Sequence, residues 1–237
     1  MIRLQDGDWF QQSVWKLEVA LDLIYSLEGR NDYSVHDQIV INVILGLIRS
    51  PIDYAISEIH YRKKAIHKKA YFPFYPSEKI NQDEKYKETV MKYLGRNDDE
   101  LIKILKSIQP INGETWFNDL NKMNNNEKHS SIAAQKRLIH ENTGHFQFGN
   151  SIISNNTIIY EDTPENTPED LSSLNLFGMN FDFTKNKGYK KEVKLTFESN
   201  DEYVFDFLIT CVINTNEFII DVFEYLNNRQ PVPLLMK

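Results

Sequence analysis

Apolar residues recur at Val14, Leu17, Leu21, Ile24 and Leu27, with Trp15 and Val19 beside them. That three- and four-residue spacing predicts one face of an α-helix. Asp8 suits its N-cap and Gly29 its stop, and Asn31 to Ser34 make the turn that follows. A longer stripe comes next. Val35, Ile39, Val43, Leu47, Ile52, Ile56 and Ile59 mark a face, and Ile41, Ile44, Leu45 and Ile48 broaden it. A helix apolar over so much of its circumference belongs at the centre of a bundle. Pro51 offers Leu47 no N–H and is expected to bend the axis. The basic segment Tyr61 to Lys69 reads as the helix's far end, which stops before Pro73.

Tyr71-Phe72-Pro73-Phe74-Tyr75-Pro76 reads as an ordered, extended connector. Two helices are expected over Asp83 to Leu94 and Asp98 to Ile108, separated by Gly95-Arg96-Asn97. Pro110 and Gly113 break the chain. A further helix runs from Glu114 to Met123, is interrupted at Asn124-Asn125-Asn126 and resumes over Glu127 to His140. From Phe146 to Glu198 the texture changes. Ile152-Ile153 and Ile158-Ile159-Tyr160 read as short strands, and Asn175 to Thr184 and Lys191 to Glu198 alternate with period two. Between them, Glu161 to Asp170 reads as an acidic, proline-bearing loop. A last helix over Val204 to Asn228 carries Phe207, Cys211, Phe218, Val222 and Leu226 on one side and is expected to return to the first two. The predicted fold class is mainly α. A helical bundle fills residues 1–145, a small β-rich insertion residues 146–200, and a returning C-terminal helix residues 201–237.

Composition adds limits. A chain of 237 residues fits one large domain or two small ones. With 41% hydrophobic residues it has ample material for a core. A net charge of −7 argues against nucleic acid coating the whole surface but leaves room for a local basic patch. Cys211 stands alone, which fits a reducing compartment. The N-terminus lacks the pattern of a signal peptide. No window is read as the about 20 apolar residues of a membrane span. Val204 to Leu226 comes closest and is interrupted by Asp206, Asn214, Asn216, Glu217 and Asp221. A soluble, cytoplasmic protein with no membrane association is expected.

Four landmarks follow one another in order. They are Arg49-Ser50-Pro51-Ile52-Asp53-Tyr54, Phe72-Pro73-Phe74, Ile108-Gln109-Pro110, and the run from Leu120 to His129. Together, over residues 35 to 132, they resemble a group of uncharacterised bacterial proteins with Arg-Ser-Ala-Leu-Asp-His, Phe-Pro-Ile, Gln-Pro-Tyr and Leu-Asn-Asn-x-Asp-Lys-His-Arg segments. That group is similar in turn to the HEPN superfamily. The resemblance implies a HEPN-like helical bundle, a homodimer, and RNA binding or metal-independent RNA cleavage in bacterial stress or antiphage defence. HEPN nucleases place an arginine and a histidine at R-x4-6-H on a helix that faces its twin. Here Arg49 matches the arginine and Tyr54 stands in the place of the histidine. Pro51 replaces an alanine, and Ser130 replaces the final arginine of the last landmark. These departures bear on catalysis more than on fold.

Metal-free RNA cleavage needs a base, an acid and a cation beside the phosphate; histidine serves as the first two and arginine as the third. Tyr54 is a poor base at neutral pH. Arg49 and Asp53 lie four apart on one face, so the plain alternative is an intrahelical ion pair worth about 0.2–0.5 kcal/mol. Arg62 and His67 form a second R-x4-H pair and are the preferred catalytic candidates. They lie among Lys63, Lys64, Lys68 and Lys69, with Tyr61 and Tyr71 placed to stack on bases. The competing reading is a solvated helix end whose cations oppose the dipole. The rival function is a non-catalytic module, a sensor or adaptor that binds a partner protein.

No metal and no cofactor are expected. His60 and His67 share a face of the predicted helix but sit about 10.5 Å apart along it. His140 and His145 have no cysteine or carboxylate at ligand spacing. Asn124 to His129 reads as capping, with Lys128 or His129 pointing into a cleft as the alternative. Cys211 reads as core, and Trp9, Trp15 and Trp116 as packing anchors. No phosphate-binding glycine loop or nucleophile elbow is present.

Overall fold

A computed structural model describes residues 8–30, 32–73, 83–110, 113–129, 133–148, 151–154, 156–162, 173–176 and 179–228. The chain is mainly helical and carries a small three-stranded antiparallel sheet. It divides into two compact units. One comprises residues 1–28, 36–133 and 206–237, the other residues 29–35 and 134–205.

In the helical unit, α1 (Trp9–Leu27) starts where the sequence places it, with Asp8 Oδ1 accepting the Gln11 N–H at 2.9 Å. It buries Phe10, Leu17, Ala20, Ile24 and Leu27. α2 (Val35–Arg62) runs unbroken through Pro51. Its core face is Ile41, Ile44, Leu45, Ile48, Ile52, Ala55 and Ile59, all with no exposed surface. Val35, Ile39 and Val43, assigned to that face from the sequence, are instead 71%, 44% and 50% exposed. Two neighbouring stripes are equally apolar over these turns, so periodicity cannot choose between them; packing does. By length and composition α2 is the helix long and apolar enough to span a membrane among the described residues, a test that a buried core helix also passes, which corrects the placing of Val204 to Leu226 as the nearest candidate.

The expectation that α2 continues to Lys69 is also corrected. Ala65 N–H donates to the His60 carbonyl at 3.1 Å and Lys64 N–H to that of Tyr61 at 3.2 Å. Lys64 has a left-handed φ of 47°. The pairing is a Schellman C-cap with lysine in the usual glycine position, and it turns the chain out of the helix.

α3 (Asp83–Leu94) and α4 (Asp99–Ser107) fall where expected, with Asp98 capping α4 through the Leu101 N–H at 3.2 Å. α5 (Trp116–His129) does not break at Asn124-Asn125-Asn126. Asparagine costs a helix only a few tenths of a kcal/mol, about 0.7 at most, which packing overrides. Asn124 is buried. The side chains of Lys128 and His129 lie outside the described residues, as do 74–76 of the connector and 163–170 of the acidic loop. α6 (Val204–Leu226) returns to α1, with Phe223 against Phe10 at 4.4 Å between ring centroids. It also sets Phe218 against Phe72 at 6.2 Å.

In the second unit, β1 (Gln135–Asn142) is the middle strand, between β4 (Thr157–Glu161) and β7 (Lys190–Phe197). Ile139 lies opposite Val193 on one side and Tyr160 on the other. The helix expected through His140 is therefore wrong, and strand begins near Gln135 rather than near Phe146. Polar residues on the covered face hide the alternation. Glu141 is 1% exposed and accepts hydrogen bonds from Tyr160 at 3.1 Å and Tyr189 at 2.7 Å. Burial pushes both phenols up, Tyr160 to about 12. β2 (His145–Phe148) pairs with β3 (Ser151–Ser154), and β5 (Ser173–Leu176) with β6 (Met179–Asp182).

Candidate functional site

The capped end of α2 delivers its cations onto an irregular turn over residues 63–71. Each has a different environment. Arg62 pairs with Glu58, Nε to Oε1 at 2.6 Å, and Nη1 donates to Asn227 Oδ1 at 3.2 Å. Lys63 lies 4.1 Å from the centroid of the Tyr225 ring and 3.8 Å from Asp98 Oδ2. Lys64, Lys68 and Lys69 are exposed and have no carboxylate partner among the described residues. Tyr61 and Tyr71, 79% and 41% exposed, bracket the turn.

Tyr93 of α3 fixes this turn from beneath. Its hydroxyl meets His60 Nδ1 at 3.0 Å, and its carbonyl accepts the His67 N–H at 3.4 Å. Its ring lies 5.9 Å from that of His67 and 4.9 Å from that of Tyr71, while His67 and Tyr71 meet edge to face at 4.6 Å. Burial raises the Tyr93 phenol, so it stays neutral at physiological pH. Because α2 stops at Arg62, both His60 and His67 reach the Tyr93 ring, rather than standing apart along a rod. His67 is exposed, and its Nδ1 faces the Lys69 peptide, 3.0 Å from the carbonyl and 3.3 Å from the N–H.

Behind the turn, Gly95 ends α3 with φ of 75°, and a Cβ there would lie 2.6 Å from Ile66 Cγ2. Arg96 donates from Nη2 to the Lys63 carbonyl at 2.5 Å. Asp98 caps α4 and also accepts the Tyr225 hydroxyl proton. Burial, reinforced by Asp98, pushes the Tyr225 phenol up. Sequence reading passed over Tyr93, Arg96, Asp98 and Tyr225. Only the helix break Gly95-Arg96-Asn97 signals that a charged turn sits there.

The other candidate pair is not assembled. Arg49 is buried, with Nη1 2.7 Å from Asp53 Oδ1, Nε donating to Asn121 Oδ1 at 3.2 Å, and its guanidinium 5.4 Å from the Phe117 ring centroid. Burial lowers its pKa and Asp53 opposes the shift. Tyr54 meets Lys16 of α1 instead, 4.8 Å from ring centroid to Nζ. Five residues turn an α-helix by about 140° past a full turn, so the two side chains diverge.

The landmarks meet in pairs, Arg49 with Asn121 and Gln109 with Pro73. Phe72 packs on Phe117 at 4.7 Å, and Gln109, fully buried, donates to the Pro73 carbonyl at 3.2 Å and towards the Tyr86 hydroxyl at 3.3 Å. They read as buried joints between helices. No family model matches the chain, and neither a curated protein nor a solved structure matches it.

Proposed function

We propose that this chain is a HEPN-like protein that binds single-stranded RNA through the turn over residues 61–71. One observation carries the reading. Lys64, Lys68 and Lys69 stand exposed without carboxylate partners among the described residues, between two exposed tyrosines, in a chain of net charge −7. Lysines neutralise phosphates, and phenol rings stack on unpaired bases at about 1–3 kcal/mol each. The HEPN likeness draws support from two contacts between landmarks, Gln109 on the Pro73 carbonyl and Arg49 on Asn121.

Binding suits the geometry better than cleavage. Arg62 is held by Glu58 and Asn227, away from the stack that holds His67. Fluorescence anisotropy with a labelled oligouridylate tests the reading. Changing Lys64, Lys68 and Lys69 together to glutamine should weaken binding and flatten the salt slope by about 0.7 for each phosphate left without its lysine. Wild-type protein that binds no RNA at low salt overturns it. Cleavage in EDTA that disappears in both Arg62→Ala and His67→Ala would restore the nuclease assignment.

The exposed row Val35, Ile39 and Val43 on α2 favours a second reading, a non-catalytic protein-interaction module. Absence of RNA binding alone would not establish it; loss of a partner complex in Ile39→Asp would.

A further inference from the structure

The turn carries an imidazole among its lysines, and its surroundings are unusually one-sided. The charged groups nearest His67 on its own segment are Lys68 and Lys69. From α3 it faces the neutral phenol of Tyr93, and from its own strand of the turn the ring of Tyr71. Arg96 lies on the same turn through the Lys63 carbonyl. The carboxylates of this region are engaged elsewhere, Glu58 by Arg62 and Asp98 by Lys63 and Tyr225. No carboxylate pairs with His67 among the described residues.

Its ring is fixed while its proton is not. Nδ1 sits within reach of both groups of the Lys69 peptide. A neutral ring accepts the Lys69 N–H there, whereas a protonated ring donates to the Lys69 carbonyl. Either state is satisfied without moving the ring from its place against Tyr71 and Tyr93. Nε2 is left for a ligand at the surface.

We propose that His67 makes anion binding at this turn proton-linked: the protonated ring adds a cation to Lys64, Lys68 and Lys69, so that RNA phosphate binds tightly in mild acid and loosely above neutrality. This rests on the RNA-binding reading above. The linkage is reciprocal, so bound phosphate favours proton uptake by the same factor by which the proton favours phosphate. Coupling worth one pKa unit corresponds to tenfold in affinity.

The test is anisotropy with labelled oligouridylate at fixed ionic strength, at about pH 5.5 and about pH 7.5. Circular dichroism at both values confirms the fold. Wild type should bind about three- to tenfold more tightly at the lower pH. His67→Gln should bind weakly at both, and His67→Lys tightly at both. His60→Gln, which removes the other imidazole on Tyr93, should keep the dependence. A wild-type pH dependence that persists in His67→Gln, or that vanishes only in His60→Gln, overturns the proposal. RNA binding that does not respond to pH removes this linkage alone. No RNA binding at either pH removes the RNA reading as well.

Discussion

Arg49 donates its Nε proton to Asn121 Oδ1 at 3.2 Å, tying the arginine landmark of α2 to the asparagine landmark of α5. The same guanidinium lies beside Asp53 and over Phe117, so it joins two helices instead of facing solvent. Arg49→Met keeps the apolar stem and removes the charge. Asn121 then loses its donor, while Asp53, with 52% of its side chain exposed, turns to water. Urea unfolding should show a loss of about 1–2 kcal/mol, the scale of a hydrogen bond to a charged group lost at a part-buried partner. RNA affinity should be unchanged. An Arg49→Met protein of full stability that loses RNA affinity would mean that this arginine serves a site and not a joint.

Gln109 is the second joint. It is fully buried, and its Nε2 reaches the Pro73 carbonyl, the Tyr86 hydroxyl and, at 3.4 Å, the Leu105 carbonyl. Gln109→Leu fills similar space but gives those acceptors nothing. A destabilisation of about 1–3 kcal/mol is expected. Gln109→Glu should be worse near neutral pH, because a carboxylate cannot donate to two carbonyls. If both variants melt like the wild type, the amide is not holding the segment around Pro73 to α4.

Local signals in the sequence were enough for α1, α3, α4 and α6. Each has a cap, such as Asp8 or Asp98, or a period that only one face can satisfy. Where two faces of α2 were equally apolar, the sequence could not say that Ile41 and not Val43 goes inside, since neighbours decide burial. β1 was missed because Arg137 and Glu141 share a face with Ile139, so its alternation is not one of polarity. The lysines of the site were legible as a charge run. Its geometry was not, because it depends on Lys64 adopting a left-handed φ and on Tyr93, Arg96 and Tyr225, which are remote in sequence.

Gly95 links that geometry to function. Its φ of 75° is strained for any L side chain, and an added methyl would press on Ile66. Gly95→Ala should therefore cost about 1–3 kcal/mol and push the turn away from α3. RNA binding should weaken beyond what the stability loss explains. Adding Ile66→Ala removes the steric part and not the backbone part, so the double variant should regain RNA affinity while staying less stable than wild type. If Ile66→Ala restores nothing, the packing of the turn on α3 does not set its binding form.

In the β unit the Tyr203 hydroxyl lies 3.1 Å from His140 Nε2, and Lys194 sits 4.6 Å from the centre of the Tyr203 ring. Burial lowers the His140 pKa, Lys194 lowers it further, and Glu192 opposes them. The folded chain therefore takes up this proton at lower pH than the unfolded chain, whose imidazole titrates near its ordinary value of about 6.5. Well above that pH neither state is protonated and the shift has no effect on stability. As pH falls below it, the unfolded state binds the proton first, so stability declines until the folded value is passed and then levels off. His140→Gln removes this contribution and keeps a polar partner for Tyr203. Urea midpoints measured from about pH 7.5 down to about pH 5 should fall less steeply for His140→Gln than for wild type. Lys194→Ala should lie between them, because its removal relieves one of the two causes. A His140→Gln protein whose stability falls as steeply as the wild type, or more so, would show that the imidazole is no less readily protonated in the fold than out of it.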